Sequence, residues 1–180
     1  HLAEMDMPSA RTRIFQVDER NAPPKDPSRN LHHQEQALRG APARVVAMPV
    51  ESDDLATAIS EYSARLPAQI DLIHLGLGSD GHTASLVPGD PILDVRDTSV
   101  AITAHPYQGH RRMSMTYPAL DSASRILWLV TGETKASVLP RLMAHDPGIP
   151  AGRVIADRNT LICDLAAGSL LVDTPESSDP

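Results

Sequence analysis

Residues 70–86 read IDLIHLGLGSDGHTASL, and this segment sets the architecture expected of the whole chain. Its first half, from Ile70 to Leu77, is nearly continuous in apolar residues, which is typical of a parallel strand covered on both faces. Its second half is a turn with three glycines, and ligands of open α/β sheets bind beyond the carboxyl ends of strands. The segment therefore predicts a buried strand that ends at a ligand site, with His74 packed in the core.

The rest of the chain alternates short apolar runs with helical patterns. Helices are predicted at 28–39, at 52–66 with Ser52 as the cap, and at 134–144 with a kink at Pro140. Strands that alternate with helices indicate βαβ units, so we expect an α/β fold with a mainly parallel sheet flanked by helices. The other predicted strands are 13–17, 44–48, 99–103, 125–130 and 160–164, with a half-exposed strand at 112–117.

Length and composition narrow the class of protein. The 180 residues are enough for one domain with a sizeable core, which we place at 1–172, with a polar tail at 173–180. A net charge of −7 and 3% aromatic residues argue against a nucleic-acid surface, and no apolar run approaches a membrane span. The single cysteine, Cys163, excludes an internal disulfide and favours a reducing, cytoplasmic compartment. The oligomeric state stays open.

The glycine-rich turn carries the clearest chemical signal. Gly76, Gly78 and Gly81 allow a close approach of backbone to a ligand and present N–H groups to an anion. Asp80 and His82 lie two residues apart, and a carboxylate beside an imidazole suits a general base. The alternative is a tight turn in which these two residues only cap the next helix. Neither a dinucleotide fingerprint with its later acidic residue nor a Gly-Lys-Ser/Thr phosphate loop is present.

Two further segments concentrate charge. Arg20, in the run Asp18-Glu19-Arg20, can bind a phosphate or a carboxylate, although exposed charge runs are usually solvated. Arg111 and Arg112 are adjacent on a predicted strand, so at most one points into a given cleft; a solvated basic edge is the alternative. The remaining histidines and Cys163 show no zinc-ligand spacing, so no metal site is expected.

Three segments, taken together and in this order, resemble the 6-phosphogluconolactonase family. Residues 17–30 resemble its D-E-R-x-x-P…S-N loop, and residues 76–89 resemble its G-x-G-x-D-G-H-T-A-S-L-F-P-G signature. Residues 112–120 and 129–135 resemble its R-I-(S/T)-x-T-x-P-x-L and V-(S/T)-G-x-x-K elements. The resemblance implies a Rossmann-like fold shared with glucosamine-6-phosphate deaminases and ribose-5-phosphate isomerases.

The same resemblance implies hydrolysis of 6-phosphogluconolactone, a phosphorylated sugar lactone, to 6-phosphogluconate in the oxidative pentose phosphate pathway, without a metal or organic cofactor. His82 matches the base that activates water, and Asp80 belongs to the surrounding loop. Arg20 matches the site arginine, and Arg112 matches a basic position near the substrate phosphate. The substrate-binding residues expected on this basis are Asp18, Arg20, Gly76, Gly78, Gly81 and Arg112.

Some features depart from the family pattern. The chain opens just before the D-E-R strand without the family's S-G-G-S/T phosphate loop, so we expect the N-terminal segment to be missing. The lysine that the family often has falls near Tyr107, within residues 105–109, and no lysine is present there. Arg29 stands where the family has a serine, and Val87 where it has a phenylalanine. The alternatives are a deaminase/isomerase, whose D-G-H-I-A-F-N-E-P and D-E-Y patterns are not matched, and a non-catalytic sugar-phosphate-binding module.

Overall fold

A computed structural model of the chain describes residues 11–39, 41, 43–156 and 158–171. The polar tail predicted at 173–180 lies outside these residues, and the single domain expected over 1–172 stays a prediction. No helix in the described part of the chain is long and apolar enough to cross a membrane.

Short strands and helices alternate along the described residues. The strands are β1 (Arg13–Phe15), β2 (Asp18–Arg20), β3 (Arg44–Val46), β4 (Ile73–Leu75), β5 (Val100–Ile102), β6 (Arg112–Met115), β7 (Ile126–Val130) and β8 (Asn159–Cys163). The α-helices are α1 (Asn30–Ala37), α2 (Leu55–Arg65), α3 (Tyr117–Asp121) and α4 (Leu139–Met143). Short 3-10 helices cover Pro91–Asp94, Glu133–Lys135 and Ala151–Arg153.

Within the described ranges these strands form three sheets. β1 pairs with β3 in parallel, and β4, β7 and β8 form a parallel sheet with β7 in the middle. β2, β6 and β5 form an antiparallel sheet with β6 in the middle. The α/β fold with parallel sheets is therefore confirmed, and the antiparallel sheet is a feature that the alternation along the chain did not indicate.

The first predicted strand, 13–17, is divided in the structure because the chain changes partners at Gln16. Gln16 is fully buried, and its Nε2 donates to Glu19 Oε2 at 3.0 Å while its Oε1 accepts from the N–H of Met48 at 2.7 Å. The residues that follow then pair with β6 instead of β3. The run from Asp18 to Arg20 is consequently a strand of its own, which the predicted strand at 13–17 did not include.

The half-exposed strand expected at 112–117 is also wrong, since all four residues of β6 are buried. Arg112 is 5% exposed and Ser114 is fully buried, although both are polar. β6 lies between β2 and β5, and Ser114 Oγ accepts from the N–H of Ser85 in the glycine-rich turn at 3.1 Å. One face of β6 therefore packs on the turn while the other contributes to the core.

All three predicted helices begin later than predicted, and the first of them, α1, starts at Asn30 and not at residue 28. α2 starts after Asp54, whose Oδ1 accepts from the N–H of Thr57 at 3.0 Å, so Asp54 and not Ser52 is the cap. The helix predicted at 134–144 is a 3-10 turn followed by α4. Pro140 lies in the first turn of α4, where its missing N–H has no intrahelical partner to lose.

β4 shows why the histidine inside it is not a core residue. Ile73 and Leu75 are buried, whereas His74 between them is exposed. Alternate residues of a strand point to opposite faces, and in β4 only one face is covered by the core. The predicted packed position of His74 is therefore wrong, and the residue lines an open cavity instead.

Candidate active site

The glycine-rich turn follows β4 and closes on itself through hydrogen bonds. Gly78 N donates to His82 O at 2.8 Å, and Gly81 N donates to Gly78 O at 3.0 Å. The Thr83 hydroxyl donates to the carbonyl of Gly76 at 2.9 Å. Residues 76–90 contain no helix, so the alternative that Asp80 and His82 merely cap one is wrong.

The imidazole of His82 is held by the carboxylate of Asp80. His82 Nδ1 lies 2.6 Å from Asp80 Oδ1, and the same oxygen accepts from His82 N at 3.1 Å. An ionised carboxylate only accepts hydrogen bonds, so this contact places the ring proton on Nδ1. Nε2 has no hydrogen-bond partner among the described residues, which leaves its lone pair free to take a proton.

Two glycines of the turn are required by packing. A Cβ at Gly78 would lie 2.0 Å from His82 Nδ1 and 2.6 Å from Asp80 Oδ1. Gly81 has a φ of +86°, and a Cβ there would lie 2.6 Å from Ile149 Cβ. At Gly76 an added Cβ would have no heavy atom within 4 Å, so this position faces open space.

The predicted charged residues share one face of β2 and β6. Asp18 lies directly opposite Ser114, and Arg20 lies directly opposite Arg112. Arg112 NH1 is 4.0 Å from Asp18 Oδ2, and Arg112 NH2 donates to Gln108 Oε1 at 3.1 Å. Burial lowers the pKa of Arg112, and the nearby positive charge of Arg20 lowers it further. An anion between the two guanidinium groups would relieve that repulsion.

Asp18 joins this face to the glycine-rich turn. Its Oδ2 accepts from the hydroxyl of Ser85 at 2.7 Å, and its Oδ1 accepts from Asn30 Nδ2 at 3.0 Å. Burial raises the pKa of Asp18, while the hydrogen bond from Ser85 and the charge of Arg112 oppose the rise. The carboxylate thus fixes β2 against the turn that carries His82.

The two adjacent arginines differ as the strand geometry predicts. Arg111 is exposed and donates from Nε to the carbonyl of Thr103 at 2.8 Å. Arg112 is buried, and its Nε has no hydrogen-bond partner within the ranges that the structure describes. Arg112 is therefore the inward-facing residue, and the solvated-edge alternative fits Arg111. Arg20 donates from NH1 to the carbonyl of Ser28.

A cavity of about 290 Å³ opens beside His82. The lining residues used below are Asp18, His74, Gly76, Gly78, His82 and Lys135. The structure thus brings four predicted site residues to one cavity, whereas Asp80, Gly81, Arg20 and Arg112 are not among its lining residues. No group of three or more His, Cys, Asp or Glu side chains in the described ranges is arranged to hold a metal ion.

Lys135 and Tyr107 are site residues that the sequence prediction missed. Lys135 comes from the 3-10 helix after β7, in the segment predicted as the helix 134–144, and it lines the cavity. Tyr107 donates from its hydroxyl to Asp80 Oδ2 at 3.1 Å, and its ring packs edge-on against His82 with centroids 5.2 Å apart. Gly109, two residues after Tyr107, was the available signal, since glycine readily takes the positive φ of a two-residue hairpin loop.

A comparison of the sequence with protein-family models identifies a matching family. The family model described as glucosamine-6-phosphate isomerases/6-phosphogluconolactonase matches residues 1–163. The chain belongs to this family. Its glycine-rich turn, with the paired Asp80 and His82, lies inside the matched region.

Individual members of the family are similar over most of the chain. The 6-phosphogluconolactonase of Haemophilus influenzae is 35% identical over 77% of this chain and 64% of its own length. That of Rattus norvegicus is 35% identical over 69% of the chain and 51% of its own length. The crystal structure of the Thermotoga maritima 6-phosphogluconolactonase superposes with a TM-score of 0.81 at 26% identity, covering 90% of this chain and 77% of that one. The chain thus spans about half to two thirds of the length of these two curated relatives.

Proposed function

We propose that this chain hydrolyses 6-phosphogluconolactone to 6-phosphogluconate, with His82 as the general base. The observation that carries the proposal is the free Nε2 of His82 beside a cavity, with Nδ1 held by Asp80 at 2.6 Å. The 6-phosphogluconolactonases among its relatives support the choice of substrate. A cytoplasmic location is supported by the single cysteine.

The reaction needs one group that takes a proton from water and later gives it to the ring oxygen of the lactone. A water molecule beside Nε2 gives its proton to the imidazole while its oxygen forms a bond to the lactone carbonyl carbon. The electron pair of the carbonyl moves onto its oxygen, then returns and breaks the bond to the ring oxygen. That ring oxygen takes the proton back from Nε2 and becomes a hydroxyl. Asp80 keeps Nδ1–H oriented and stabilises the imidazolium that forms transiently.

The anionic groups of the substrate need positive partners in an acidic protein. The N–H groups of Gly78, Gly81 and His82 already donate within the turn, so they are not the free donors for the carbonyl oxygen. Lys135, the cation among the lining residues, is the proposed partner for that oxygen. Arg20 and Arg112, directly opposite one another on β2 and β6, are the proposed partners of the phosphate.

The test is the replacement of His82 by asparagine. Release of acid from freshly prepared 6-phosphogluconolactone is timed against spontaneous hydrolysis in buffer. We expect His82→Asn to lower kcat by about 10²- to 10⁴-fold, because general-base catalysis typically contributes that much. The matched control is His145→Asn: His145 is exposed, and its φ of +49° suits asparagine. The control should keep the wild-type rate.

Each alternative function predicts a different experimental result. A wild-type rate equal to that of buffer, together with binding of 6-phosphogluconate, would indicate a sugar-phosphate-binding module without catalysis. Release of ammonia from glucosamine 6-phosphate would indicate the deaminase/isomerase branch. Full activity of His82→Asn would remove His82 from the mechanism.

A further inference from the structure

Tyr107 connects the His82–Asp80 pair to Arg112. Its hydroxyl lies 3.1 Å from Asp80 Oδ2 and 3.4 Å from His82 Nδ1. The guanidinium carbon of Arg112 lies 5.2 Å from the centre of the Tyr107 ring, and Arg112 NH2 donates to the Tyr107 carbonyl at 3.4 Å. The tyrosine therefore contacts the proposed base, the carboxylate that holds it, and a proposed phosphate ligand.

The β5–β6 hairpin fixes the position of this ring. Tyr107 N donates to His110 O at 2.9 Å, and the reverse bond closes at 3.4 Å. The two residues between them, Gln108 and Gly109, have φ of +50° and +87°, as a type I′ hairpin turn requires. Tyr107 thus comes from a strand-linked turn with little freedom to withdraw from Asp80.

The Tyr107 hydroxyl donates to Oδ2 of Asp80, the carboxylate oxygen that makes no hydrogen bond with His82. Oδ1 accepts from His82, and Oδ2 accepts from Tyr107, so rotation of the carboxylate would break a hydrogen bond on each side. Burial raises the pKa of Tyr107, and the negative charge of Asp80 raises it further, which keeps the hydroxyl protonated as a donor. Burial alone would raise the pKa of Asp80, but hydrogen bonds from His82 and Tyr107 lower it overall.

We propose that Tyr107 is a positioning residue that acts through Asp80 to hold the His82 ring and to limit its affinity for a proton. The inference rests on the lactone hydrolysis proposed above. A donor on Oδ2 withdraws charge from the carboxylate, so less negative charge faces Nδ1 of the imidazole. The other titratable groups around the cavity, which a pH dependence must also consider, are Asp18, His74 and Lys135.

The experiment compares Tyr107→Phe with Tyr62→Phe. The first removes only the hydroxyl and keeps the ring against His82. The second removes a hydroxyl that donates to the carbonyls of Gln16 and Val46, away from the site. We expect Tyr107→Phe to move the acidic limb of the kcat/KM profile to higher pH by about 0.5 to 1 unit, since a net hydrogen bond is of that size. We also expect kcat to fall about tenfold with little change in KM, whereas Tyr62→Phe should keep the wild-type profile.

A second measurement separates this proposal from the proposed function. The ring nitrogens of His82 are titrated by NMR in ¹⁵N-labelled protein without substrate, with His82→Asn used to assign the signals. A higher titration midpoint in Tyr107→Phe than in the wild type and in Tyr62→Phe supports the proposal. An unchanged midpoint overturns it. If the wild-type chain does not accelerate lactone hydrolysis, the proposed function fails, and the NMR midpoint alone decides the effect of Tyr107 on His82.

Discussion

Gly78 shows how one missing side chain makes the proposed site possible. The imidazole of His82 and the carboxylate of Asp80 meet in the space that a Cβ at this position would occupy. A displacement of about 1 Å at a reacting group can cost a hundredfold in rate. The geometry of the general base therefore depends on a residue that takes no part in the chemistry.

We accordingly expect Gly78→Ala to lower kcat about 100-fold or more, because the added methyl carbon would lie 2.0 Å from His82 Nδ1 and must push the ring from Asp80. The lactone assay gives kcat, and urea unfolding followed by circular dichroism reports whether the fold persists. Near-normal kcat in the folded variant would show that the ring tolerates another position.

The sequence predicted those contacts of the candidate site that are made between near neighbours in the chain. It missed those that depend on which face of a strand is covered or on contacts between distant segments. Asp80 and His82 are two residues apart in a turn, so their contact follows from local geometry and is confirmed. His74 was misplaced because an apolar run does not reveal which face of a strand is covered. Tyr107 reaches Asp80 across 27 positions of sequence, a distance that local patterns do not span.

At the scale of elements, Glu19 explains why α1 begins where it does. The carboxylate is fully buried on β2 and accepts from the N–H groups of Asn30 at 2.7 Å and Leu31 at 2.8 Å. A negative charge at a helix N-terminus satisfies donors that have no partner within the helix. Arg29, also buried, lies 3.5 Å from the same carboxylate. The alternative of a solvated run of charges is therefore wrong for Glu19, which anchors a helix.

Asp90 anchors another pair of elements, and its role is testable through the pH dependence of stability. Its carboxylate accepts from the N–H of Ile92 at the start of a 3-10 helix, and from those of Ala104 and His105 before the hairpin turn. Burial would raise its pKa, but these hydrogen bonds lower it overall. The stabilisation is therefore present above the ordinary carboxyl pKa and is lost as the pH falls through the lowered one.

We expect Asp90→Asn to lower the free energy of unfolding by about 1–3 kcal/mol at pH 7, because an amide offers one accepting oxygen to three donors. The difference from the wild type should shrink as the pH falls below about 4. Urea unfolding at pH 7 and pH 3 measures it, with Asp71→Asn at an exposed position as the control. A difference that is the same at both pH values would contradict the role of the charge.

At the scale of the whole molecule, the proposed site is assembled from segments that belong to different sheets. The turn that carries His82 follows β4 of the parallel sheet, whereas Asp18 and Arg112 come from the antiparallel sheet. The alternation of strands and helices predicted the fold class, but it carries no information on how separate sheets pack. Only tertiary contacts, such as the hydrogen bond from Ser85 to Asp18, join these parts.

The segment 149–151 packs against the glycine-rich turn at Gly81. Ala151 N donates to the carbonyl of Gly81 at 2.9 Å, and the side chain of Ile149 packs where a Cβ of Gly81 would lie. Tyr117 secures this segment by donating to the carbonyl of Pro150 at 2.9 Å. Ile149 is 1% exposed and is thus both a core residue and a support of the turn.

Substitutions at the two ends of the core should therefore separate stability from activity. Ile126 is also 1% exposed, but it pairs with Ile73 at the start of β4, at the end of the sheet opposite the site. We expect Ile149→Ala and Ile126→Ala each to lower the free energy of unfolding by about 2–5 kcal/mol, as the loss of a buried isoleucine does. Only Ile149→Ala should also lower kcat, about tenfold, because a cavity behind Gly81 loosens the turn that holds His82.

Urea unfolding and the lactone assay, both run well below the melting temperature of each variant, measure the two effects. An equal loss of kcat in both variants would mean that activity follows global stability and that Ile149 gives the turn no particular support.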